Sequence, residues 1–447
     1  MAKPFDVIVI GSGPAGGIVA AGCRKSGLRV AIVENRGYGG TCPLRGCNPK
    51  KVLVGAAEAI NRSADLQGKG IAHNSRIAWP ELIRFKRTFT EPVSPAKEKA
   101  LHERGIDTYS GQARFTGKTE ITVGDQVLTA ANVVIAAGAK ARPLPIPGKE
   151  HLIEGEAFME VDVLPDSVTF VGGGYISFEF AHIAARAGAK VTILEMQERP
   201  LAAFDPELVD ILMEASRDHG IDIRTETPIH SVEKRGDAFL VRAGEEGNET
   251  FETGLVINSS GRVPAILDLD LDTADVDNSP KGVTVNDFMQ SISNPAVYAA
   301  GDCADTPLPL TPTAVIEAEA VVKNIVNGNT QKPDHTGVPS VAFTIPPLAM
   351  VGMTEKELKD RGIAYEKTFK DTSSNFTSRR LGLKHSAGKL LVEKGTGKIL
   401  GAHLFEHHAE ETINIFALAV RLGLTTADLQ KAVWSYPSSI YNIQELM

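Results

Sequence analysis

The chain contains one structural pattern twice, and this repeat limits its possible folds more than any other feature. Each copy has a short apolar strand, a glycine-rich turn, a helix and a second strand that ends in glutamate. The turn spans residues 11–16 in the first copy and 172–177 in the second, and the closing acids are Glu34 and Glu195. Two parallel strands joined by a helix form a βαβ unit, so the repeat predicts an α/β protein with two such domains.

The glycine turns indicate dinucleotide binding. A tight turn between a strand and a helix directs unpaired backbone N–H groups and the helix dipole at a pyrophosphate, and glycine lets the backbone approach closely. The acid at the end of the second strand accepts hydrogen bonds from the ribose of an adenosine. A single motif of this kind is weak evidence, because tight turns use glycine anyway. Two complete copies, each with its acid, predict two Rossmann-like dinucleotide sites.

Composition and charge exclude several other classes of protein. At 447 residues the chain is too long for a single core. The formal net charge is −8 without a basic run, which argues against nucleic acid and anionic membranes as partners. A strand begins within the first few residues, so we expect no signal peptide, and no apolar run reaches the roughly 18 residues of a membrane span. We therefore expect a cytoplasmic protein.

Two of the four cysteines, Cys42 and Cys47, stand five positions apart just after the first βαβ unit. Two thiols at this spacing can close into a disulfide and, beside a redox cofactor, pass two electrons onward. A zinc site would need four ligands, usually at tighter spacing with further Cys or His nearby. A structural disulfide is unusual in a reducing compartment. The pair therefore predicts a redox disulfide, and we expect no metal site.

The segment 39–51, GGTCPLRGCNPKK, resembles the redox-active disulfide block of the flavoprotein disulfide reductases, which include glutathione reductase, dihydrolipoamide dehydrogenase and mercuric reductase. The resemblance covers essentially the whole chain. Further segments resemble, in order, the turn that closes the first FAD segment, the turn that leaves the NAD domain, the second FAD fingerprint and the entry to the dimerisation domain: 131–138, 255–262, 296–302 and 341–355.

The resemblance implies three domains and a homodimer. An FAD-binding domain would occupy 1–145 and 263–335, an NAD(P)-binding domain 146–262, and an α+β interface domain 336–447. Hydrophobic patterning predicts the elements of the interface domain. They are strands at 389–393 and 399–405, and helices at 410–422 and 426–433.

The resemblance also implies the roles of individual residues. In this family hydride passes from a nicotinamide to flavin N5, and the electrons then pass to the disulfide. Cys47 would rest as a thiolate against the flavin, and Cys42 would attack the substrate. Lys50 would lie near flavin N5, with Glu179 as its carboxylate partner. Tyr175 would gate the nicotinamide pocket. The alternatives are a solvent-exposed Lys50 and a Tyr175 that belongs to the core.

The expected cofactor contacts follow from the same resemblance, and Asp302 would bind the ribityl chain of the flavin. For FAD they are Gly11, Gly13, Gly16, Glu34, Thr41, Ala113, Gly138, Asp302 and Thr311, and for NAD they are Gly172, Gly174, Tyr175, Ser177, Glu195 and Gly261.

Glu195 bears on the choice between NADH and NADPH. NADPH-specific relatives place arginines just after this strand, where the ribose 2′-phosphate lies. A carboxylate at this position repels a phosphate and suits a free 2′-hydroxyl. Arg199 follows four residues later and could turn toward a phosphate, or it could be a solvated charge. We predict a preference for NADH.

The C-terminal segment departs from the family pattern. Relatives of the glutathione and lipoamide types carry a His-Pro-Thr-x-x-Glu motif, whose histidine moves the proton of the substrate thiol in the active site of the partner subunit. Here the matching stretch begins with Tyr436 and ends with Tyr441. Deprotonating tyrosine at pH 7 costs roughly 4 kcal/mol, so Tyr436 could donate a proton but would be a poor base. Alternatively, both tyrosines only fill the dimer interface.

Arg45, between the two cysteines, is a second departure, because relatives usually have a small or apolar residue there. It could hold an anionic substrate, lower the pKa of a cysteine, or be a solvated loop charge.

These patterns together predict a homodimeric, FAD-containing oxidoreductase that uses NADH to reduce a disulfide or another thiol-reactive electrophile through Cys42 and Cys47. The tyrosines at the C-terminus make glutathione or lipoamide a doubtful substrate. Two alternatives remain. One is a carbon–carbon bond-cleaving carboxylase, like the ketopropyl-coenzyme M member of the family. The other is a metal-ion reductase or NADH oxidase.

Overall fold

The computed structural model of the protein describes residues 3–72 and 75–447, and it divides into two compact units. The first unit comprises the chain up to Lys50 together with Phe85–Arg142 and Arg262–His335. The second unit comprises Lys51–Arg84, Pro143–Gly261 and Thr336–Met447, so it includes both the predicted NAD(P)-binding and interface segments. The predicted domain boundaries stay predictions.

The first unit is built on a seven-stranded sheet with a parallel centre. At that centre Val9 lies opposite Ile32 on one side and Val134 on the other, and all three side chains are buried. Central parallel strands are covered on both faces, which explains their nearly continuous apolar sequences. The strands, in spatial order, are Asp107–Ser110, Val30–Glu34, Lys3–Ile10, Gln126–Ile135, Glu120–Val123 and Ala113–Phe115, and Val297–Ala299 pairs with Gln126–Ile135.

Helices flank this sheet, and two of them, Pro14–Lys25 and Thr311–Asn327, contact each other. Proline occupies the first or second position of both helices, where its missing N–H removes no helical hydrogen bond. The unit's other helices are Thr41–Arg45 and Val93–Glu103, and its short strand pairs are Ala139–Ala141 with Arg262–Pro264 and Asn278–Ser279 with Gly282–Val283. The helices Cys47–Asp65 and Trp79–Thr90 each contribute residues to both units.

The second unit contains the second copy of the βαβ pattern in a five-stranded parallel sheet. Its strands, in spatial order, are Ile221–Arg224, Lys190–Leu194, Ser167–Val171, Leu255–Asn258 and Ile153–Glu154. An antiparallel sheet of Ile229–Arg235, Ala238–Ala243 and Glu249–Thr253 accompanies it. The helices of this part are Gly155–Phe158, Tyr175–Arg186 and Pro206–Asp218.

The C-terminal part of the second unit is an antiparallel sheet with helices, so the predicted α/β class with a C-terminal α+β domain is confirmed. The strands, in spatial order, are Ser340–Ala342, Leu348–Gly352, Ile399–Phe405, Ala387–Glu393 and Tyr365–Asp371. The helices are Glu355–Asp360, Phe376–Leu381, Ala409–Leu422 and Thr426–Gln430, followed by a 3₁₀ segment at Ser439–Leu446.

The predicted strands and the first predicted helix of this part are confirmed, but the second helix ends earlier than we expected. It stops at Gln430 instead of residue 433. Val433 is 97% exposed, so extending the helix would bury no apolar surface at that position. Helices in proteins are stabilised mainly by packing an apolar face, which explains the early end.

A buried ion cluster in the second unit was not predicted. Lys389 is only 1% exposed, and its Nζ donates to both carboxylate oxygens of Asp205 at 2.7 Å and to Glu355 at 2.9 Å. Asp205 also caps the helix Pro206–Asp218 by accepting from the Glu207 N–H. A buried charge is tolerated only when it is paired and hydrogen-bonded. The ammonium group of Lys389 meets both conditions.

Within the two described stretches of the chain, no helix combines the length and apolar character needed to cross a membrane.

The pair Gly172→Ala and Gly188→Ala tests how closely the second glycine turn is packed. The φ angles are 103° and 100°, so alanine is strained to a similar degree at both positions. An added Cβ at Gly172 would lie 2.7 Å from the Ser259 carbonyl oxygen, whereas at Gly188 no described atom lies within 4 Å. We expect Gly172→Ala to lower the free energy of unfolding by about 1–3 kcal/mol more than Gly188→Ala does, measured by urea denaturation. Equal losses would contradict this account.

Candidate active site and dinucleotide turns

The first glycine turn leaves no room for side chains. Gly11 has φ 101°, and a Cβ there would lie 2.2 Å from the Ala136 carbonyl oxygen. A Cβ on Gly16 would lie 1.9 Å from the Gly11 carbonyl oxygen. Gly13 precedes the helix Pro14–Lys25 and provides no side-chain cap, so the first N–H groups of that helix are available to an anion.

Glu34 is fixed in orientation at this turn. The buried carboxylate accepts from Ser12, through its N–H at 3.1 Å and its hydroxyl at 2.6 Å. Its other oxygen accepts from the N–H groups of Asn35 and Arg36 at 3.0 and 2.9 Å. The acid therefore lies directly beside the open helix start, where the ribose of a dinucleotide is expected.

A cavity that opens to solvent lies against this turn and is lined entirely by the first unit. Open backbone donors and a fixed carboxylate on one wall fit the diphosphate and ribose of FAD. Among the described residues, the predicted contacts Gly16, Gly138, Asp302 and Thr311 do not line it. The predicted FAD contacts that do line it are Gly11, Gly13, Glu34, Thr41 and Ala113.

Asp302 follows a turn that a buried glutamate holds in place. The Gly301 N–H donates to Glu317 at 2.7 Å, and Glu317 also bonds His335 at 3.2 Å. Burial raises the pKa of Asp302, against the opposing effect of the Arg262 charge. The sequence analysis did not identify Glu317, because an acid within a helix normally faces solvent.

The two cysteines of the predicted disulfide lie together. Cys42 belongs to the short helix Thr41–Arg45, and Cys47 is the first residue of the helix Cys47–Asp65. The two thiols are close enough to shift the pKa of each other, and the Cys47 sulfur lies 3.7 Å from the Thr311 hydroxyl. Thr311 was predicted to contact FAD, and its proximity to a thiol was not foreseen.

The surroundings of the two thiols make one thiol more acidic than the other. The interaction with Cys42, with help from Thr311 and the charge of Lys50, lowers the pKa of Cys47 to about 6. The same interaction, together with burial, raises the pKa of Cys42. A helix start also favours an anion at Cys47. At pH 7 the pair therefore holds a thiolate on Cys47 and a thiol on Cys42.

The second glycine turn repeats the arrangement of the first in the second unit. The Gly173 N–H donates to buried Glu195 at 2.5 Å, and Gly174 starts the helix Tyr175–Arg186 without a side-chain cap. Tyr175 is 45% exposed at the start of that helix, so it is not a core residue. Ser177 is fully buried, and its hydroxyl donates to the Gly172 carbonyl. Ser177 thus braces the turn from within.

Glu179 lies further along the same helix and is almost fully buried. It accepts from the Phe343 N–H at 2.8 Å, and His182, one turn later, accepts from the Ile345 N–H at 3.0 Å. Lys50, the predicted partner of Glu179, belongs to the first unit, so the pairing of Glu179 with Lys50 stays a prediction.

The two C-terminal tyrosines contact each other. The rings of Tyr436 and Tyr441 are 4.9 Å apart in an edge-to-face arrangement, and they are 69% and 38% exposed. A neighbouring acid, Glu406, is buried, and burial raises its pKa to about 8. The hydrogen bond from Asn442 opposes that rise and links Glu406 to the C-terminal segment.

Two dinucleotide turns and an adjacent pair of thiols with unequal acidity define a nucleotide-dependent dithiol oxidoreductase. The chain belongs to the pyridine nucleotide-disulphide oxidoreductase family, whose model matches residues 5–318. The dimerisation-domain model of the same family matches residues 338–447. The predicted family and enzyme class are confirmed, and FAD with a pyridine nucleotide is the cofactor set of the family.

Known relatives span nearly the full length of the chain. A glutathione reductase from Nostoc sp. is 29% identical over 456 residues, which cover 98% of each protein. A mercuric reductase from Lysinibacillus sphaericus is 30% identical over 440 residues, covering 97% of this chain and 80% of the relative. Among solved structures, the HOCl-induced flavoprotein disulfide reductase RclA from Escherichia coli matches with a TM-score of 0.88 and 26% identity over 99% of both chains.

Thr311→Val tests the contact that favours the Cys47 thiolate. Losing one hydroxyl beside the sulfur should raise the pH at which half of Cys47 is ionised by about 0.7, the equivalent of roughly 1 kcal/mol. The measurement is the alkylation rate of Cys47 against pH in chemically reduced protein, with the site located by mass spectrometry. Thr313→Val is the matched control, because that buried hydroxyl has no hydrogen-bond partner among the described residues. An unchanged profile for Thr311→Val would show that the contact is not energetically significant.

Proposed function

We propose that the protein is a homodimeric NADH-dependent reductase that passes electrons through Cys42 and Cys47 to a disulfide or another thiol-reactive electrophile. The observation that carries the proposal is the contact between the two thiols, in which Cys47 is the acidic member. A thiolate is the reactive form in thiol–disulfide exchange, so the pair is prepared for reaction at neutral pH. The proposed location is the cytoplasm, because a catalytic dithiol suits a reducing compartment.

The proposed roles divide between the two thiols and their neighbours. FAD, when bound, supplies the two-electron chemistry between the nicotinamide and the dithiol. Cys47 holds the thiolate, and transfer of the Cys42 proton to it would leave Cys42 as the attacking thiolate. Cys42 then attacks the substrate. Lys50 keeps the thiolate charge stable, since its own charge contributes to the lowered pKa of Cys47.

Two residues of the second unit have proposed roles as well. Glu179 would orient Lys50, and Tyr175 would cover the nicotinamide. The buried position of Glu179 and its bond from the Phe343 N–H support a fixed carboxylate. The exposure of Tyr175 at the helix start supports a mobile ring at the nucleotide turn. We assign Tyr436 the role of a hydrogen-bond donor to the substrate, because tyrosine is a poor base at neutral pH.

The preference for NADH rests on charge at the end of the second βαβ unit. Glu195 is buried and its carboxylate is held by the N–H groups of Gly173 and Gln197. Arg199, the nearest candidate for a 2′-phosphate, is bonded to the Asp210 carboxylate and to the Pro206 carbonyl. A 2′-phosphate would therefore meet a carboxylate and an arginine that is already engaged.

Reduction of a thiol-binding metal ion is a second candidate function. RclA has also been solved as a Cu(II) complex. That structure matches 99% of this chain with a TM-score of 0.89. The observation that favours this candidate here is Tyr436 in place of a histidine base, because a metal ion takes electrons without a substrate thiol to protonate. The Cys47 thiolate and the Cys42 thiol would together reduce two Cu(II) ions to two Cu(I) ions, form the disulfide and release one proton.

Anaerobic reduction by NADH tests the dithiol relay. We expect two additional thiols per subunit to react with a thiol reagent after one equivalent of NADH, and none in Cys42→Ser. The reduced protein is then offered a disulfide panel and, separately, Cu(II) with a Cu(I)-specific chelator. Loss of the two thiols identifies the acceptor. If NADH is consumed while the thiol count stays constant, the relay is wrong and direct oxidase chemistry replaces it.

Glu195→Gln tests the basis of nucleotide choice. The amide oxygen keeps an acceptor for the Gly173 N–H while the charge is removed. We expect kcat/KM for NADPH to rise about tenfold, because the like-charge repulsion of the 2′-phosphate is relieved, with a smaller change for NADH. Asp210→Asn should add to the effect by releasing Arg199. A wild-type protein that prefers NADPH would overturn the assignment.

A further inference from the structure

Arg45 lies on the wall of the dinucleotide cavity, although its position between the cysteines suggested a role toward the substrate. It ends the single helical turn Thr41–Arg45 and lines the cavity together with Thr41. Residues four apart in a helix share a face, so this turn presents Thr41 and Arg45 in the same direction. The side chain is partly buried, and its Nε is shielded from solvent.

The cysteine segment is fixed directly onto the first glycine turn. A Cβ on Gly40 would lie 2.4 Å from the Gly13 Cα, so the two backbones touch. The Gly39 N–H donates to the Ser12 hydroxyl at 3.0 Å, and that hydroxyl bonds Glu34. The turn that carries Arg45 therefore starts beside the open N-terminus of the helix that follows Gly13.

The same wall of the cavity needs a positive side chain near a diphosphate. Backbone N–H groups of the glycine turn are neutral donors, and Glu34 is an anion suited to a ribose. Arg36 and Lys140 also line the cavity, but neither lies on the helical turn that carries Thr41. Arg45 brings a guanidinium group, whose planar fork matches two oxygens of a phosphate.

We propose that Arg45 binds the diphosphate of FAD and thereby attaches the segment between the two redox cysteines to the cofactor. Arg45 is then a cofactor-binding residue, and neither a substrate ligand nor a solvated charge. The inference depends only on the FAD dependence of the family, and not on the proposed electron acceptor or on NADH preference.

The test measures FAD affinity in the intact holoenzyme without NADH. Holoenzyme is diluted in series, and released FAD is separated by ultrafiltration and quantified by absorbance. Arg45→Met should raise the dissociation constant on the order of ten- to a hundredfold, as expected for losing a charge-assisted hydrogen bond. Arg45→Lys should fall between Arg45→Met and the wild type, because it keeps the charge without the fork. Lys97→Met, an exposed cation of the same unit outside the cavity, controls for net charge.

Phosphorus NMR of the bound FAD provides a second measurement that a purely structural role would not change. We expect Arg45→Lys to shift at least one diphosphate resonance, with no shift in Lys97→Met. Unchanged affinity and unchanged resonances in the Arg45 variants would overturn the proposal, as would equal losses in Arg45→Met and Lys97→Met. If Arg45→Met does not fold, the affinity and spectrum of Arg45→Lys decide. Because no electron transfer is measured, a negative result here leaves the dithiol relay unaffected, and a failed relay leaves this result unaffected.

Discussion

The close contact between two glycine backbones, Gly13 and Gly40, is the constraint on which the active site depends. A Cβ at Gly40 would lie 2.4 Å from the Gly13 Cα, so no side chain fits at Gly40 between the cysteine segment and the dinucleotide turn. Because the turn is also pressed against Ala136 at Gly11, the strand, the helix start and the cysteine segment form one rigid arrangement. A redox pair must stay within reach of its cofactor, and this steric contact provides that proximity through backbone alone.

Electrostatics then determines which thiol is ionised. Cys47 starts a helix of 19 residues, contacts Thr311 and lies within the field of Lys50, and all three effects favour a negative sulfur. Cys42 has the opposite environment, because burial and the neighbouring thiolate both favour its protonated form. Two chemically identical groups therefore acquire different roles from their positions at the two ends of a five-residue spacing.

The parts of the fold that depend on periodic patterns could be predicted, whereas contacts between distant segments could not. The glycine turns and their acids, Glu34 and Glu195, follow from local spacing, because each turn, helix and strand must close within about thirty residues. Thr311 contacts Cys47 across 264 positions of sequence, and no local pattern signals that approach. Lys389 lies in a mostly apolar strand, and its pairing with Asp205 is visible only in three dimensions.

Under the proposed function, the raised pKa of Cys42 and the tyrosine at position 436 together restrict the chemistry of the electron acceptor. Attack by Cys42 requires loss of its proton, and the Cys47 thiolate in contact with it is a base that titrates near neutrality. Tyrosine is suited to donating rather than removing a proton at neutral pH, so Tyr436 would supply no such base. A substrate whose reduction needs an additional base to remove a thiol proton would react slowly at this site. An acceptor that takes electrons without that base, such as a strained disulfide or a metal ion, is compatible with both residues.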